Sequence, residues 1–391
     1  MKDDKKILLD FKMVTRKKKK IIRMKNNKKF KKFRKKKNLN LNLYMKRMLI
    51  LIFIIITIVI FIFSLLMIKK KGKKNFNLEN IKNIFNYSLK YEEFDENINE
   101  QYIQLQNSFC EKQNESLIQE YESRIRIEDV IFYGKKFQMF VYKRSDAVSH
   151  VIRSSHKWED SHTLNVLKAL EYYSKKKNLE NKDIYLLDIG SNIGWYTYYL
   201  GKYGYKILSF EANKINNYIL YKNYCINKDV NVTLINKGLD REDKICILKT
   251  AARNKGNGMI FCENREKNLK DFDGDSFNNI ELTKLSRYYK YLFKKNLAFI
   301  KIDVEGSEAI VLEGGKELIN KYHVPFIKME FEVKMIEAHR TNALEFLQFF
   351  ENNGYKISLK DFFSKKYISS SELVKNKGNN DLYIVYEKIL E

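Results

Sequence analysis

Residues 184–211 constrain the fold more than any other stretch of the chain. Ile184-Tyr185-Leu186-Leu187 is a short apolar run; Asp188-Ile189-Gly190-Ser191-Asn192-Ile193-Gly194 follows, and Trp195, Tyr196, Tyr199 and Leu200 recur at helical spacing. Lys206-Ile207-Leu208-Ser209-Phe210 is a second apolar run, ending in Glu211. A buried strand, a tight turn, an amphipathic helix and a second strand within about 30 residues make a right-handed parallel unit. Glycine at 190 and 194 lets the backbone turn sharply and approach a ligand with no Cβ in the way.

Open parallel sheets bind ligands beyond the carboxyl ends of their strands, where Asp188, Gly190 and Glu211 fall. A carboxylate at the end of the second strand, 21 positions after Gly190, suits hydrogen bonds from both hydroxyls of a ribose. The glycine spacing discriminates between ligands. A dinucleotide turn reads G-x-G-x-x-G and brings a helix N-terminus onto a pyrophosphate. Here the pattern is D-x-G-x-x-x-G, with Asn at 192 and no third glycine. Asp188 disfavours a pyrophosphate and favours a cation. S-adenosylmethionine (SAM) has a ribose, an ammonium and a sulfonium but no phosphate, so it fits better than NAD. A structural turn with no ligand is the alternative.

Residues 231–235 read as a third strand, ending at Asn236, and 245–248 with 259–262 as a hairpin across the turn-rich stretch 254–258. A fourth strand at 297–302 leads into Asp303-Val304-Glu305-Gly306 and a helix over 307–319. A fifth strand at 324–329 ends at Glu330, an amphipathic helix lies near 343–350, and 355–359 with 381–386 suit an antiparallel closing pair.

The blocks LLDIGSNIGWYTYYL, SFEANKINNYILYKN, VTLINKGLDREDK and FIKIDVEGSEAIVLEGGKELI resemble successive blocks of the FkbM-type SAM-dependent methyltransferase family, over roughly residues 184–387. A weaker lead-in is His156-Lys157-Trp158-Glu159. The resemblance implies an α/β, class I methyltransferase-like (Rossmann-like) fold with a seven-stranded sheet, and SAM as methyl donor. It places Asp188, Gly190, Asn192 and Gly194 on the cofactor turn and Glu211 on the ribose; Asn236 joins them as a cofactor-binding candidate. Ala212 departs from the family pattern, where a proline commonly follows the acid.

Methyl transfer needs an aligned nucleophile and often a base. The candidate catalytic residues are Asp303 and Glu305 after the fourth strand and Glu330 at the end of the fifth. Acids beside a sulfonium stabilise its charge, and one with a raised pKa can act as base. In the bland alternative Glu305 only complements a helix N-terminus, and Glu308 and Glu313 are ordinary first-turn and surface acids. Three acids near one crevice can also hold a divalent metal, but no spacing demands one, and no metal is expected. His156 and His162 flank Trp158-Glu159 in a possible lid, and His339 follows the fifth strand. Amine methyltransferases acting on nucleic-acid bases use an Asn/Asp-Pro-Pro-aromatic loop after the fourth strand. With Pro325 the only proline, that loop cannot form, and the resemblance points to a hydroxyl acceptor.

Residues 48–68 contain no charge. As a helix they would span roughly 31 Å, about the thickness of a bilayer's hydrocarbon core. They are too long and too far from the start for a signal peptide, so an uncleaved single-pass anchor is expected. Residues 1–47 carry 21 Lys/Arg against 3 Asp/Glu, a net of +18 out of the chain's +26. The remaining +8 is ordinary, so the basicity is that of a tail suited to anionic lipid rather than nucleic acid. Ten Lys/Arg in residues 28–47 against six in 69–88 favour a cytoplasmic N-terminus.

The expected organisation is a basic cytoplasmic tail (1–47), a transmembrane anchor (48–68), a stalk (69–124) and a methyltransferase domain (125–391). The chain would then be a type II membrane protein with its catalytic domain in the lumen of the endoplasmic reticulum or Golgi. A glycan or glycolipid hydroxyl is the natural acceptor there. A non-catalytic methyltransferase-like binding module at a membrane is the rival. Cys225, Cys246 and Cys262 read as small buried hydrophobes, with a disulfide open to them in a lumenal compartment.

Overall fold

The computed structural model describes residues 93–111, 121–251, 254–262, 276–376 and 378–391. The expected basic tail, the apolar span and the first part of the stalk lie outside the described residues. Among the described residues no helix is long and apolar enough to cross a membrane.

An antiparallel pair, β1 (Ile125–Phe132) and β2 (Lys135–Tyr142), and helices α2 (Ala147–Ser155) and α3 (Asp160–Lys177) precede the core, a seven-stranded sheet built around the expected parallel unit. In chain order its strands are β3 (Ile184–Ile189), β4 (Lys206–Phe210), β5 (Val232–Ile235), β10 (Asn296–Ile302), β11 (Phe326–Glu332), β12 (Tyr355–Ser358) and β13 (Asn379–Tyr386). Across the sheet the order is β12-β13-β11-β10-β3-β4-β5. The five strands from β11 to β5 are parallel, and β13 enters antiparallel between β11 and β12. Two strands of the main sheet, β10 and β3, thus sit side by side although more than 100 residues separate them. Their near-continuous apolar sequences reflect burial on both faces. Leu186 and Phe326 point into one core, with helix α4 (Trp195–Gly201) and helix α5 (Lys214–Ile226), while Leu187, Ile189 and Ile327 point into the other.

The expected hairpin forms, but longer and in different company. β7 (Lys244–Ala251) pairs antiparallel with β8 (Asn254–Phe261), so the glycine-bearing stretch 254–258 is strand rather than turn. Both belong to a second sheet in which β6 (Gly238–Asp240) and β9 (Ser276–Lys284) complete the order β6-β9-β7-β8. The single helix expected over 307–319 is broken into Glu308–Glu313 and Glu317–Asn320. A Cβ on Gly314 would stand 2.3 Å from the Asp240 carbonyl oxygen, so the break admits the backbone of the second sheet at a distance only glycine permits.

The stalk expectation fails over residues 94–111. Helix α1 (Glu96–Glu111) belongs to the domain and covers the outer edge of β5. The fully buried Gln106 donates from Nε2 to the Val232 carbonyl at 3.0 Å and accepts from the Leu234 amide at 2.7 Å. One side-chain amide thus stands in for a neighbouring strand, satisfying edge groups that would otherwise template pairing with another chain. A Cys110–Cys225 disulfide fastens α1 to α5, and a second joins Cys246 to Cys262 across β7 and β8. The reading of Cys225, Cys246 and Cys262 as buried hydrophobes is therefore corrected; all four cysteines are paired.

Candidate functional site

A cavity of about 280 Å³ opens beyond the carboxyl ends of β3, β4, β10 and β11, where an open parallel sheet is expected to bind. The glycine turn forms one side of it. Gly190 adopts φ +73°, and a Cβ there would lie 1.9 Å from the Asp303 carbonyl oxygen. Glycine is thus required because the loops after β3 and β10 touch. The amides of Gly190 and Ser191 both donate to the Phe210 carbonyl at 3.0 Å, tying the turn to the end of β4.

Glu211 faces the cavity, held chiefly by backbone, with the Asn216 side chain as a further hydrogen-bond partner. Its Oε2 accepts from the Asn192 amide and its Oε1 from the Asn213 amide, each at 2.7 Å. Burial pushes its carboxyl up to about 7, against those hydrogen bonds. The carboxylate keeps lone-pair capacity for a further donor. Asn192 also lines the cavity, and its Oδ1 is buried with no partner, so a ligand donor would be gained there without loss. Gly238, Leu239, Leu248 and Ile260 of the second sheet wall this end.

Three residues expected to bind cofactor are placed elsewhere. Asp188 is buried beneath the turn, off the cavity wall: its Oδ2 accepts from the Thr197 hydroxyl at 2.5 Å, and Lys301 Nζ lies 3.9 Å from its Oδ1. Its charge is countered by a lysine, not offered to a ligand. Gly194 caps α4 against Leu220 and Tyr198. Asn236, half-buried after β5, does not line the cavity.

The three catalytic candidates do converge. Carboxylate oxygens of Asp303, Glu305 and Glu330 all lie within 4.8 Å of one another, close enough to share a cation, and all three line the cavity. Glu330 sits inside β11 rather than at its end, and its Oε1 accepts from Asn379 Nδ2 at 2.6 Å. Asp303 and Glu330 share a hydrogen bond. Burial and the Asp303 charge raise the Glu330 pKa. Burial works the other way on Asp303, but Lys301 and Lys328 outweigh it and hold its pKa below the usual range. Of the pair, Asp303 is therefore the more readily ionised and Glu330 the first to take up a proton.

Glu308 is not the surface acid of the bland reading. It is buried and accepts at Oε1 from the amides of Val304 (3.0 Å) and Gly306 (3.2 Å), shaping the loop that carries Asp303 and Glu305. Burial pushes its pKa up to about 8.

The structure adds residues that the sequence reading missed. Lys301 lies 3.2 Å from Asp303 and donates to the Gly190 carbonyl at 2.7 Å. Lys328 bridges Asp381 (2.6 Å) and Glu159 (3.2 Å). Burial works against both ammonium groups, yet the surrounding carboxylates hold their pKa values above that of an ordinary lysine. The signal was available: each is a lone lysine flanked on both sides by apolar residues of a buried strand, and a buried charge of that kind requires a partner. Glu159 also accepts from the Tyr196 hydroxyl at 2.6 Å. Trp158 and Glu159 line the cavity as the lid reading implied, but the two histidines beside them do not. His156 is exposed and meets the Asp129 carbonyl, and His162 meets the Tyr383 hydroxyl. His339, whose pKa burial lowers, is also off the cavity wall.

Residues 188–357, which carry the turn, Glu211 and the acid cluster, match the family model described as the methyltransferase FkbM domain. Residues 188–357 are therefore similar to an FkbM methyltransferase domain. Its boundaries run from the last turn of the first central strand to β12, so the α1 cover and the Trp158 segment lie outside the matched residues. A search of curated proteins finds no match. Among solved structures, the chain is similar to the bifunctional kinase-methyltransferase WbdD (9% identity, TM-score 0.35, covering 63% of this chain and 44% of that one). It is also similar to M. jannaschii TYW2 in complex with AdoMet (14%, 0.28, 67% and 85%). A third is precorrin-6y C5,15-methyltransferase from Geobacter metallireducens GS-15 (13%, 0.26, 59% and 92%). The chain thus spans under half the length of WbdD.

Proposed function

We propose that this chain is a membrane-anchored, SAM-dependent O-methyltransferase whose acceptor is a hydroxyl of a glycan or glycolipid in the secretory lumen. One observation carries the donor reading: a cavity at the strand ends with Glu211 on one side and the Asp303, Glu305 and Glu330 carboxylates on the other. SAM supplies an electrophilic methyl on a sulfonium. The residues present fit such a cation, with acids lining the cavity and the unpartnered Asn192 Oδ1 as a further acceptor. Glu211 would receive the ribose hydroxyls. Glu330, whose pKa is raised, is the group that would take the acceptor's hydroxyl proton, while Asp303, held anionic by Lys301, would orient that hydroxyl.

The match to a methyltransferase family supports the reaction class. The absence of a Pro-Pro loop after β10 supports oxygen over base nitrogen as acceptor atom. Two disulfides support an oxidising compartment, and the uncharged run at 48–68 supports the anchor.

Calorimetric titration of SAM into the full-length protein in detergent tests the donor site. Glu211→Ala should weaken binding by about tenfold to a hundredfold, the worth of one or two charge-assisted hydrogen bonds. Equal affinity in both proteins would remove Glu211 from this role, and SAM binding without methyl transfer to any glycan pool would favour the non-catalytic module.

A further inference from the structure

We infer that the β10–β11 end of the cavity selects acceptors by charge, taking an uncharged sugar face and rejecting sugars that carry a carboxylate or phosphate near the reacting hydroxyl. The inference rests on the methyltransferase reading above and goes beyond it. Five carboxyl groups line this end: Glu159, Asp303, Glu305, Glu330 and Asp381. Lys301 is the one cation among the described lining residues, and it is already engaged by Asp303 and the Gly190 carbonyl. Lys328 lies behind the wall, engaged by Glu159 and Asp381. With both lysines and the proton between Asp303 and Glu330 counted, the wall remains net negative. An anionic acceptor would meet like charge in a partly desolvated space, where the repulsion is poorly screened. A neutral sugar would offer hydroxyl donors to surplus carboxylate lone pairs.

Trp158 supplies the apolar half of the same recognition. It lines the cavity, packs against the core containing α4, and is followed by Glu159, which Tyr196 and Lys328 hold. An indole lining the same cavity as the carboxylates offers a flat apolar surface together with hydrogen-bond acceptors. That matches a pyranose, with its C–H face and its ring of hydroxyls.

The test uses full-length enzyme with methyl-tritiated SAM and three glycan pools. One is neutral, one is anionic (sialylated and uronate-bearing), and the third is the anionic pool after amidation of its carboxylates, which removes charge at nearly constant shape. The neutral and amidated pools should each take up at least about tenfold more label than the untreated anionic pool, as a designed charge clash requires. Glu305→Gln should narrow that ratio severalfold. Trp158→Ala should cut neutral labelling about tenfold while SAM affinity stays within about twofold, and Trp158→Phe should restore part of it. Equal labelling of the untreated anionic pool overturns the inference, as does no gain on amidation. So does no label in any pool while SAM binds in a Glu211-dependent manner. Loss of SAM binding itself overturns the methyltransferase reading instead.

Discussion

The two ends of the cavity are built by different means. At the β4 end one carboxylate, Glu211, is fixed chiefly by two backbone amides, with the Asn216 side chain beside them, and walled by a sheet that a disulfide crosslinks. At the β10–β11 end the carboxylates are fixed by side chains, chiefly the buried Lys301 and Lys328. A backbone-held group keeps its place when a neighbouring side chain changes. A group held by side chains depends on each partner, because removing one leaves a buried charge uncompensated.

The largest break in this comparison should come from Lys328→Met. It strands Glu159 and Asp381 and should cost about 3–5 kcal/mol of stability in denaturant unfolding, the range for halving a buried ion pair. Asn192→Ala, at the other end, should cost under about 1 kcal/mol, because the Asn192 contact to Glu211 comes from its backbone amide. A similar loss in both variants would erase the distinction.

The disulfide provides the next test. Replacing Cys246 and Cys262 by serine opens a loop of 16 residues' separation and should cost up to about 3 kcal/mol. SAM affinity should fall in that variant, while discrimination between neutral and anionic glycans should persist. Loss of discrimination with unchanged SAM affinity would mean that the ends are assigned the wrong way round.

The pH dependence sharpens the comparison further. Glu211 and Glu308 have folded-state pKa values raised to about 7 and about 8, above the unfolded value near 4.5. The folded protein therefore binds more protons over that window, and donor-free stability should fall as pH rises from about 5 to 8, by about 2 kcal/mol or more. SAM should reduce the Glu211 share of this slope, because ligand hydroxyls favour its anion. A melting temperature independent of pH over this range would refute both assignments.

The smallest effect is expected of Glu308→Gln. Its Oε1 accepts both loop amides, and a glutamine carbonyl can do the same, so stability at pH 8 should be unchanged or slightly higher, by about 1 kcal/mol. A marked destabilisation would mean that the charge itself holds the loop.

Much of the fold was legible because strands and helices write their periods locally. The parallel unit, the third to fifth strands, the 343–350 helix and the closing antiparallel pair all lie near their expected positions. Gly190, Asn192 and Glu211 reach the cavity for the same reason: they sit at strand ends, and strand ends share one side of an open parallel sheet. That Asp188 is buried beneath the turn was not legible, because its position one residue before the strand's end does not tell which face its side chain takes. The helicity of residues 96–111 is faint in the sequence because α1 is amphipathic around Ile98, Tyr102 and Phe109 but otherwise polar, and one buried position is a glutamine.

The sequence by itself determined the β-α-β unit, its glycine turn, the acid on the second strand and a cysteine content compatible with disulfides. Only the tertiary structure decided which charges meet. Lys301 reaches beneath Gly190 because β10 pairs with β3, and Lys328 meets Asp381 because β13 inserts beside β11. Local periodicity assigns a residue to a face, but strand order is settled by the collective burial of both faces of the sheet. Partners separated by 50 to more than 100 positions carry no mark of one another in the sequence.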